Sequence, residues 1–492
     1  MIIKTSINEI QNYLSDASNF RGYCDAVYFP ENERDICEIL QEAFNNNICV
    51  TISGNGTGLT GARVPQGGIV ISMEKLNKII EINEEQNYAV VEPGVILSEF
   101  QNKVKAHNLL YPPDPTEKSC YIGGTVATNA SGEKTFKYGP TRNYVLELDI
   151  VLSDGDILKL KRNTIFAEGY KLSLKTESGR LIFIELPDYK MPSTKNAAGY
   201  YCKKNMDAID IFIGSEGTLG VISKIKLKLE QLPARLISCL VFFNQEINAL
   251  NFIEKARDIS FNSRLEHNKT TIDALALEYF DERTLNFLRS DNPLVPETAK
   301  SGVWFEQEVT DENENIIFDK WMSLVIEFQG DEKSAWFAIT ENDRKKIQEF
   351  RHSISVKINE FIAKGNLKKL GTDAAVPDAK FEELYFYSKK LVENAKLNFV
   401  IYGHAGNSHM HLNMLPKDEA EYQTGVNIYG EICKKAVELG GTISAEHGIG
   451  KLKTNYFLQM YGQENIDKMI GIKNMIDPKM ILGRGNIFNI SR

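Results

Sequence analysis

The sequence predicts an α+β protein of two or three domains, and three observations carry that expectation. At 492 residues the chain is too long for one hydrophobic core. Its first 231 residues alternate short apolar strands with a few amphipathic helices, parted by glycine-rich turns. After "LPARL" the texture changes, and acidic stretches such as "VTDENENIIFDKW" alternate with apolar strands and helices. A boundary is therefore expected near 231, giving a first domain over 1–231, a second over 232–434 and a C-terminal segment over 435–492.

The elements follow in order. "FPENERDICEILQEAFNNN" sets Ile36, Ile39, Leu40, Ala43 and Phe44 on one helical face, after a proline suited to a first turn. "ICVTIS" is a short buried strand that runs into "GNGTGLTG". "GGIVISM", "YAVVEPG" and "LELDIVLSDGDILKL" are further strands, the Asp154-Gly155 pair marking a hairpin. Helical spacing returns over 96–110. "LISCLVFF" (236–243) is far too short to span a bilayer and is expected as a buried strand.

Composition narrows the function. A net charge of −9 leaves no electrostatic footprint for nucleic acid, and no polybasic run marks a membrane anchor. The start lacks a basic stretch followed by an apolar one, so no secretory signal is expected. Seven scattered cysteines without a CxxC pair write neither a disulfide framework nor an iron–sulfur site. A reducing cytoplasm is the expected location. No internal repeat is present.

Three glycine-bearing segments carry the first chemical signal. In "SGNGTGLTG", Gly54, Gly56, Gly58 and Gly61 allow positive φ and aim successive N–H groups at one point, a nest suited to phosphate. The spacing fits neither a Rossmann fingerprint nor a Walker loop. "PPDPTEKSCYIGGTVATNASGEKTFKYG" (112–139) joins a stiff proline entry to Gly123-Gly124 and a small polar run, which admits a flat ring close to the backbone. "GSEGTLGVIS" (214–223) repeats the theme ahead of a strand. Together the three suggest an extended, phosphate-bearing cofactor on a β-scaffold.

The second signal is "GHAGNSHMHLN" (403–413), with three of the chain's seven histidines. By strand periodicity His409 and His411 share a face, so spacing alone makes them the metal pair. In "EFRHSISVKINEF" (349–361), Ile354, Ile358 and Phe361 share a helical face, and Arg351 and Ser355, four apart, share another.

These segments together resemble the vanillyl-alcohol oxidase/PCMH family of FAD-binding flavoproteins, and within it the D-2-hydroxyacid dehydrogenase branch that acts on D-lactate, D-2-hydroxyglutarate or glycolate. The likeness covers about 20–231 and 345–492. It implies a two-subdomain PCMH-type FAD-binding domain over 1–231, an α/β substrate-binding cap over 232–434, and a C-terminal helical segment packing back on the first domain. It also implies that Gly54, Asn55, Gly56, Thr57, Gly58, Leu59, Thr60 and Gly61 cradle the pyrophosphate. Pro115, Ser119, Gly123, Gly124, Asn129, Gly132 and Gly139 would line the flavin side, with Gly217 and Ile222 near the nucleotide. Neither of the first two motifs holds a histidine, so the FAD is expected to be non-covalent.

The branch's "GHxGDGNxHxN" and later "EHGxG" select His404, His411 and Glu446 ("SAEHGIG") as ligands to a divalent metal, zinc or manganese. This differs from the pair that spacing suggests, and His409 departs from the family's asparagine. His447 becomes the base, an imidazole being suited to proton transfer near neutral pH. Asn413 would bond the substrate oxygen, while Arg351 and Ser355 grip its carboxylate. "KKLGTDAAVPDAKF" carries the family's Asp-x-x-x-Pro, but the lysine two places before the Asp is Gly371 here, with Lys369 as substitute.

The implied activity is oxidation of a D-2-hydroxyacid, tilted toward a monocarboxylate such as D-lactate. Electrons would leave to a quinone, cytochrome, flavoprotein or iron–sulfur subunit. Peripheral attachment to the inner face of the membrane and a homodimer stay open. A non-redox flavoenzyme of the alkylglycerophosphate synthase type and a non-catalytic flavin-binding subunit are the competing readings.

Overall fold

A computed structural model describes residues 1–338, 340–365 and 370–489. Lys369, the expected substitute lysine, lies outside the described residues.

The chain begins with a four-stranded sheet in the order Ile2–Lys4, Ala26–Phe29, Ile69–Ser72, Val50–Ser53, whose last three strands are parallel. The helix Glu33–Asn46 links two of these strands. Asn32 caps it by accepting from Asp35 N at 3.0 Å, and Asn47 ends it with φ 55°. Its buried residues are Ile36, Ile39, Leu40 and Ala43, the expected stripe, with Phe44 partly buried. Strand Val50–Ser53 delivers the first glycine segment at its C-terminal end, where parallel strands open toward ligands.

A five-stranded antiparallel sheet follows in the order Ile79–Asn83, Tyr88–Val91, Val221–Lys228, Val145–Val151, Ile157–Lys161. The Asp154-Gly155 hairpin closes here, with Gly155 at φ +85° and Val151 opposite Ile157. The helix expected over 96–110 covers only Leu97–Lys105. Asn108 turns at φ 55°, and Leu109–Leu110 pairs as a strand with Glu230–Gln231.

Residues 235–414 contribute the third large sheet, seven strands in the order Trp336–Phe337, Arg235–Phe243, Ser301–Val309, Ala276–Asp281, Phe399–Gly403, His411–Met414, Leu370–Gly371. Alternation along its strands splits its cover. Cys239, Val241, Phe243, Leu277 and Phe305 share a core with helices Glu246–Glu266 and Glu314–Glu327. Leu240, Phe242, Phe280, Trp304 and Tyr402 face helices Glu282–Arg289 and Glu341–Gly365. Ile354 and Ile358 anchor the latter helix, and Phe361 is partly buried on the same core.

Helices Glu419–Glu438 and Thr454–Ile476 flank the loop carrying "SAEHGIG". The chain then returns to the first sheet. Leu482 bridges Val50, and Lys451 Nζ donates to the carbonyls of Gly61 and Ala62 at 3.2 Å each. All seven cysteines are free thiols. Among the described residues no helix is long and apolar enough to cross a membrane.

Candidate active site

The three glycine-bearing segments line one cleft with a cavity of about 300 Å³. Gly54, Asn55, Gly56, Thr57, Gly58, Leu59, Thr60, Pro115, Gly123, Gly124, Gly217 and Ile222 form its wall. The glycines divide by cause. Gly56 and Gly217 have φ +78° and +70°, so the backbone itself requires them. A Cβ on Gly123 would stand 2.5 Å from Pro93 Cβ. At Gly124 it would meet nothing within 4 Å, and at Gly54 and Gly58 its nearest neighbours would lie 3.9 and 3.8 Å away. Neither strain nor packing accounts for these three, and their glycines leave room beside the wall for a ligand. A long cleft of close-approach backbone fits an extended dinucleotide such as FAD.

The other five residues expected at the cofactor stand outside that wall. Gly61 (φ +75°) donates its N–H to Asp16 at 2.9 Å. The Ser119 carbonyl accepts from Asn55 Nδ2 at 2.8 Å. Asn129 Oδ1 accepts from Arg142 N at 3.0 Å. A Cβ on Gly132 would stand 2.0 Å from the Asp114 carbonyl, and one on Gly139 would stand 2.1 Å from Asn143 Nδ2. These five shape the backbone that forms the wall.

Glu446 and His447 line the same cleft. Behind them lies a buried cluster of charge. His404 Nε2 stands 3.4 Å from Glu446 Oε2, and His411 Nε2 stands 3.1 Å from Oε1. The outward nitrogens are occupied. His404 Nδ1 meets Glu278 Oε1 at 2.6 Å, and His411 Nδ1 meets the Thr372 carbonyl at 3.2 Å. With its outward nitrogen backed by an acceptor, each imidazole is placed to turn a lone pair toward an ion beside Glu446, the arrangement found behind metal-ligating histidines. His409 joins the same group, and one donor atom from each of the four residues lies within 4.8 Å of the others. Two or three imidazoles and a carboxylate are a donor set suited to zinc or manganese.

Electrostatics holds this arrangement. Burial would push the Glu446 carboxyl up, but Lys195 and His404 overcome it and hold the group well below the usual carboxylate range. Burial and the Lys195 charge hold His409 far below an ordinary histidine. His411 is lowered by burial despite Glu446. His404 is raised, because Glu278 outweighs burial.

His447 is the most open of the group, its side chain 25% exposed. Its Nδ1 lies 3.4 Å from Asp373 Oδ2, and its ring stacks over His411 at 5.5 Å. Arg351 is 2% exposed and donates from Nε to Glu278 at 2.7 Å, over the Tyr402 ring. Ser355 Oγ lies 3.3 Å from Tyr402 OH, and Asn413 Nδ2 donates to the His411 carbonyl at 3.4 Å. Gly371 pairs with Asn413 in the sheet. The network thus runs from Arg351 through Glu278 and His404 to Glu446, at the cleft.

Several residues join this site that sequence reasoning did not single out. Lys195 places Nζ 2.6 Å from Glu446 Oε2. Glu278 lay open to notice as one of two carboxylates, with Asp281, in the otherwise apolar run "ALALEYFD", where a buried charge demands a partner. Asp373, visible only as part of Asp-x-x-x-Pro, accepts from Ser444 Oγ and Lys453 Nζ at 2.7 Å each and from the backbone N of His447 at 3.0 Å. Glu216, inside the third glycine segment, accepts from Ile449 N and Gly450 N at 2.7 Å each, so it fixes the loop that carries His447. Burial pushes its carboxyl up to about 7.

The comparisons with known proteins identify the family and the fold. Residues 24–161 match the model of the FAD binding domain, and residues 261–487 match that of the C-terminal domain of FAD linked oxidases. The chain is 30% identical to glycolate oxidase subunit GlcD of Bacillus subtilis (strain 168), over 97% of this chain and 92% of that one. It is 29% identical to D-lactate dehydrogenase of Anaerostipes hadrus, over 92% of this chain and 87% of that one. Its fold is shared with 4-ethylphenol oxidase from Gulosibacter chungangensis, with a TM-score of 0.67 at 17% identity, covering 99% of this chain and 94% of that one. The α+β fold with its PCMH-type FAD-binding architecture is thereby established, and the chain belongs to the FAD-linked oxidases.

Proposed function

We propose that this FAD-linked oxidase converts a D-2-hydroxyacid of the D-lactate type to its 2-oxoacid, with FAD held non-covalently. The observation that carries the reading is that Glu446 and His447 line the cleft of the glycine segments and join the network that ends at Arg351. In this reading residues 1–231 hold FAD, 232–434 form the cap over the substrate, and 435–492 return His447 to the cleft.

The chain's own residues divide the work. Arg351 uses its Nη groups, which have no hydrogen-bond partner among the described residues, to grip the substrate carboxylate. Ser355 assists from one turn further along the helix, and Asn413 bonds the hydroxyl oxygen. His447 takes the hydroxyl proton, and Asp373 beside its Nδ1 stabilises the resulting imidazolium. When bound, FAD supplies the acceptor for the Cα hydride, and a zinc or manganese ion held by His404, His411 and Glu446 supplies Lewis acidity at the substrate oxygen. Fixing the carboxylate sets which Cα bond faces the cofactor, which gives the preference for one enantiomer.

The names of two relatives, a glycolate oxidase subunit and a D-lactate dehydrogenase, support the substrate class. Gly371, where a second anchoring lysine is expected, favours a monocarboxylate. The electron acceptor in this reading is external: a quinone, cytochrome, flavoprotein or iron–sulfur subunit. Anaerobic bleaching of the flavin tests the whole. D-lactate or glycolate should bleach it faster than D-2-hydroxyglutarate, and L-lactate should not. Absence of bleaching with any D-hydroxyacid would favour the alkylglycerophosphate synthase type of chemistry. Bleaching without turnover of an artificial dye would favour a subunit that works only within a complex.

A further inference from the structure

We propose that His409 is a fourth protein ligand, so that this chain holds its divalent ion with three imidazoles and Glu446. The inference deepens the metal site of the proposed function and rests on it. Three observations carry it.

The first is placement. His409 is fully buried, and its ring lies 4.5 Å from that of His411 and 5.5 Å from that of His404. His404, His409, His411 and Glu446 each bring a donor atom within 4.8 Å of the other three.

The second is tautomer. His409 Nε2 stands 3.1 Å from Asp373 Oδ1, a close contact without the alignment of a hydrogen bond. A proton on Nε2, facing Asp373, would leave Nδ1 as the acceptor, on the side of Lys195 and Glu446. The same logic governs His404 against Glu278 and His411 against the Thr372 carbonyl. All three imidazoles thus have an acceptor on the outer side, so that the inner nitrogen of each can turn its lone pair to an entering ion.

The third is an indicator already in the site. Lys195 Nζ lies 2.6 Å from Glu446 Oε2 and 3.4 Å from His409 Nδ1. Those two atoms therefore already receive a cation together, and an entering divalent ion would displace the ammonium from both. A second grouping, Asp373, His411, Glu446 and His447, also has donor atoms within 4.8 Å. It is the poorer host, because Asp373 already serves Ser444, Lys453 and two backbone N–H groups. A fourth protein ligand leaves fewer positions open for substrate and tightens the hold on the ion.

The test uses the full chain loaded with one equivalent of zinc and X-ray absorption at the zinc edge, with no reliance on turnover. The expected result is three imidazoles in the native protein and two in His409→Asn, with flavin content unchanged. Zinc affinity by chelator competition should fall by about 10–100-fold or more in the variant. Two imidazoles in the native protein would overturn the inference while leaving the His404, His411 and Glu446 site standing. The native count decides the matter even if the variant does not fold. A native chain that takes up no zinc would overturn both the inference and the metal role beneath it, whereas flavin bleaching by D-lactate would still be read separately.

Discussion

The cleft and the histidine cluster solve opposite problems with opposite materials. Around the cleft the wall is backbone and small side chains, and Gly54, Gly58 and Gly124 are glycine where a Cβ would meet the protein at ordinary contact distance or not at all. Around the cluster the contacts are made by charged side chains taken out of water, Glu278, Asp373 and Arg351, packed with the fully buried His409. A backbone wall accepts almost any change that adds no atoms. A buried ionic network tolerates no loss of a partner, because each deletion strands a charge. Binding and chemistry should therefore separate cleanly under mutation.

The largest separation is expected at Asp373. Burial alone would raise its carboxyl, but His447, Lys453 and His409 outweigh this and hold it well below the ordinary carboxylate range. A carboxylate depressed in the folded state adds stability above its unfolded pKa of about 4, and that stability is lost as pH falls toward the folded value. Asp373→Asn should cost about 3–5 kcal/mol near neutral pH, by stranding Lys453. Denaturant melts across pH should show the variant and the native chain converging on the acid side.

Arg351 comes next. Arg351→Lys keeps the charge but loses the planar fork, and hydrogen bonds to charged groups contribute about 1.5–3 kcal/mol. Turnover per KM should fall by about one to two decades with flavin content unchanged. Loss of flavin in this variant would break the separation of the two regions.

The smallest effect sharpens the comparison most. Gly124→Ala adds a Cβ that meets nothing, within the helix Ile122–Ala127, so the fold should be unaffected or slightly more stable. Flavin affinity should fall by about tenfold, roughly 1.4 kcal/mol, as the methyl enters the ligand's space. Gly123→Ala, one residue away, drives its Cβ onto Pro93 and should instead destabilise the fold by about 1–3 kcal/mol. Melting curves paired with flavin titrations distinguish the two.

What could be read from the sequence follows the same division. The helix Glu33–Asn46, the Asp154-Gly155 hairpin and the glycine segments are local signals, and periodicity and turn chemistry reveal them. The helix after Ile96 was overextended because apolar spacing continues past Lys105, whereas Asn108 in left-handed geometry turns the chain into a strand. The histidine motif and Glu446 were visible through resemblance to a pattern. Their partners were not. Lys195 reaches Glu446 across 251 positions and Glu278 reaches His404 across 126. No local rule pairs residues that far apart, although carboxylates in the apolar run "ALALEYFD" signal that partners exist.

In the proposed reaction His447 acts on substrate beside a flavin held by the glycine segments. Single-turnover flavin reduction by D-lactate, in native protein and His447→Asn at equal flavin occupancy, tests that claim most directly. Full flavin binding is expected in both, with a reduction rate lower by about 10²–10⁴-fold in the variant. Equal reduction rates, or a variant that loses its flavin, would contradict it.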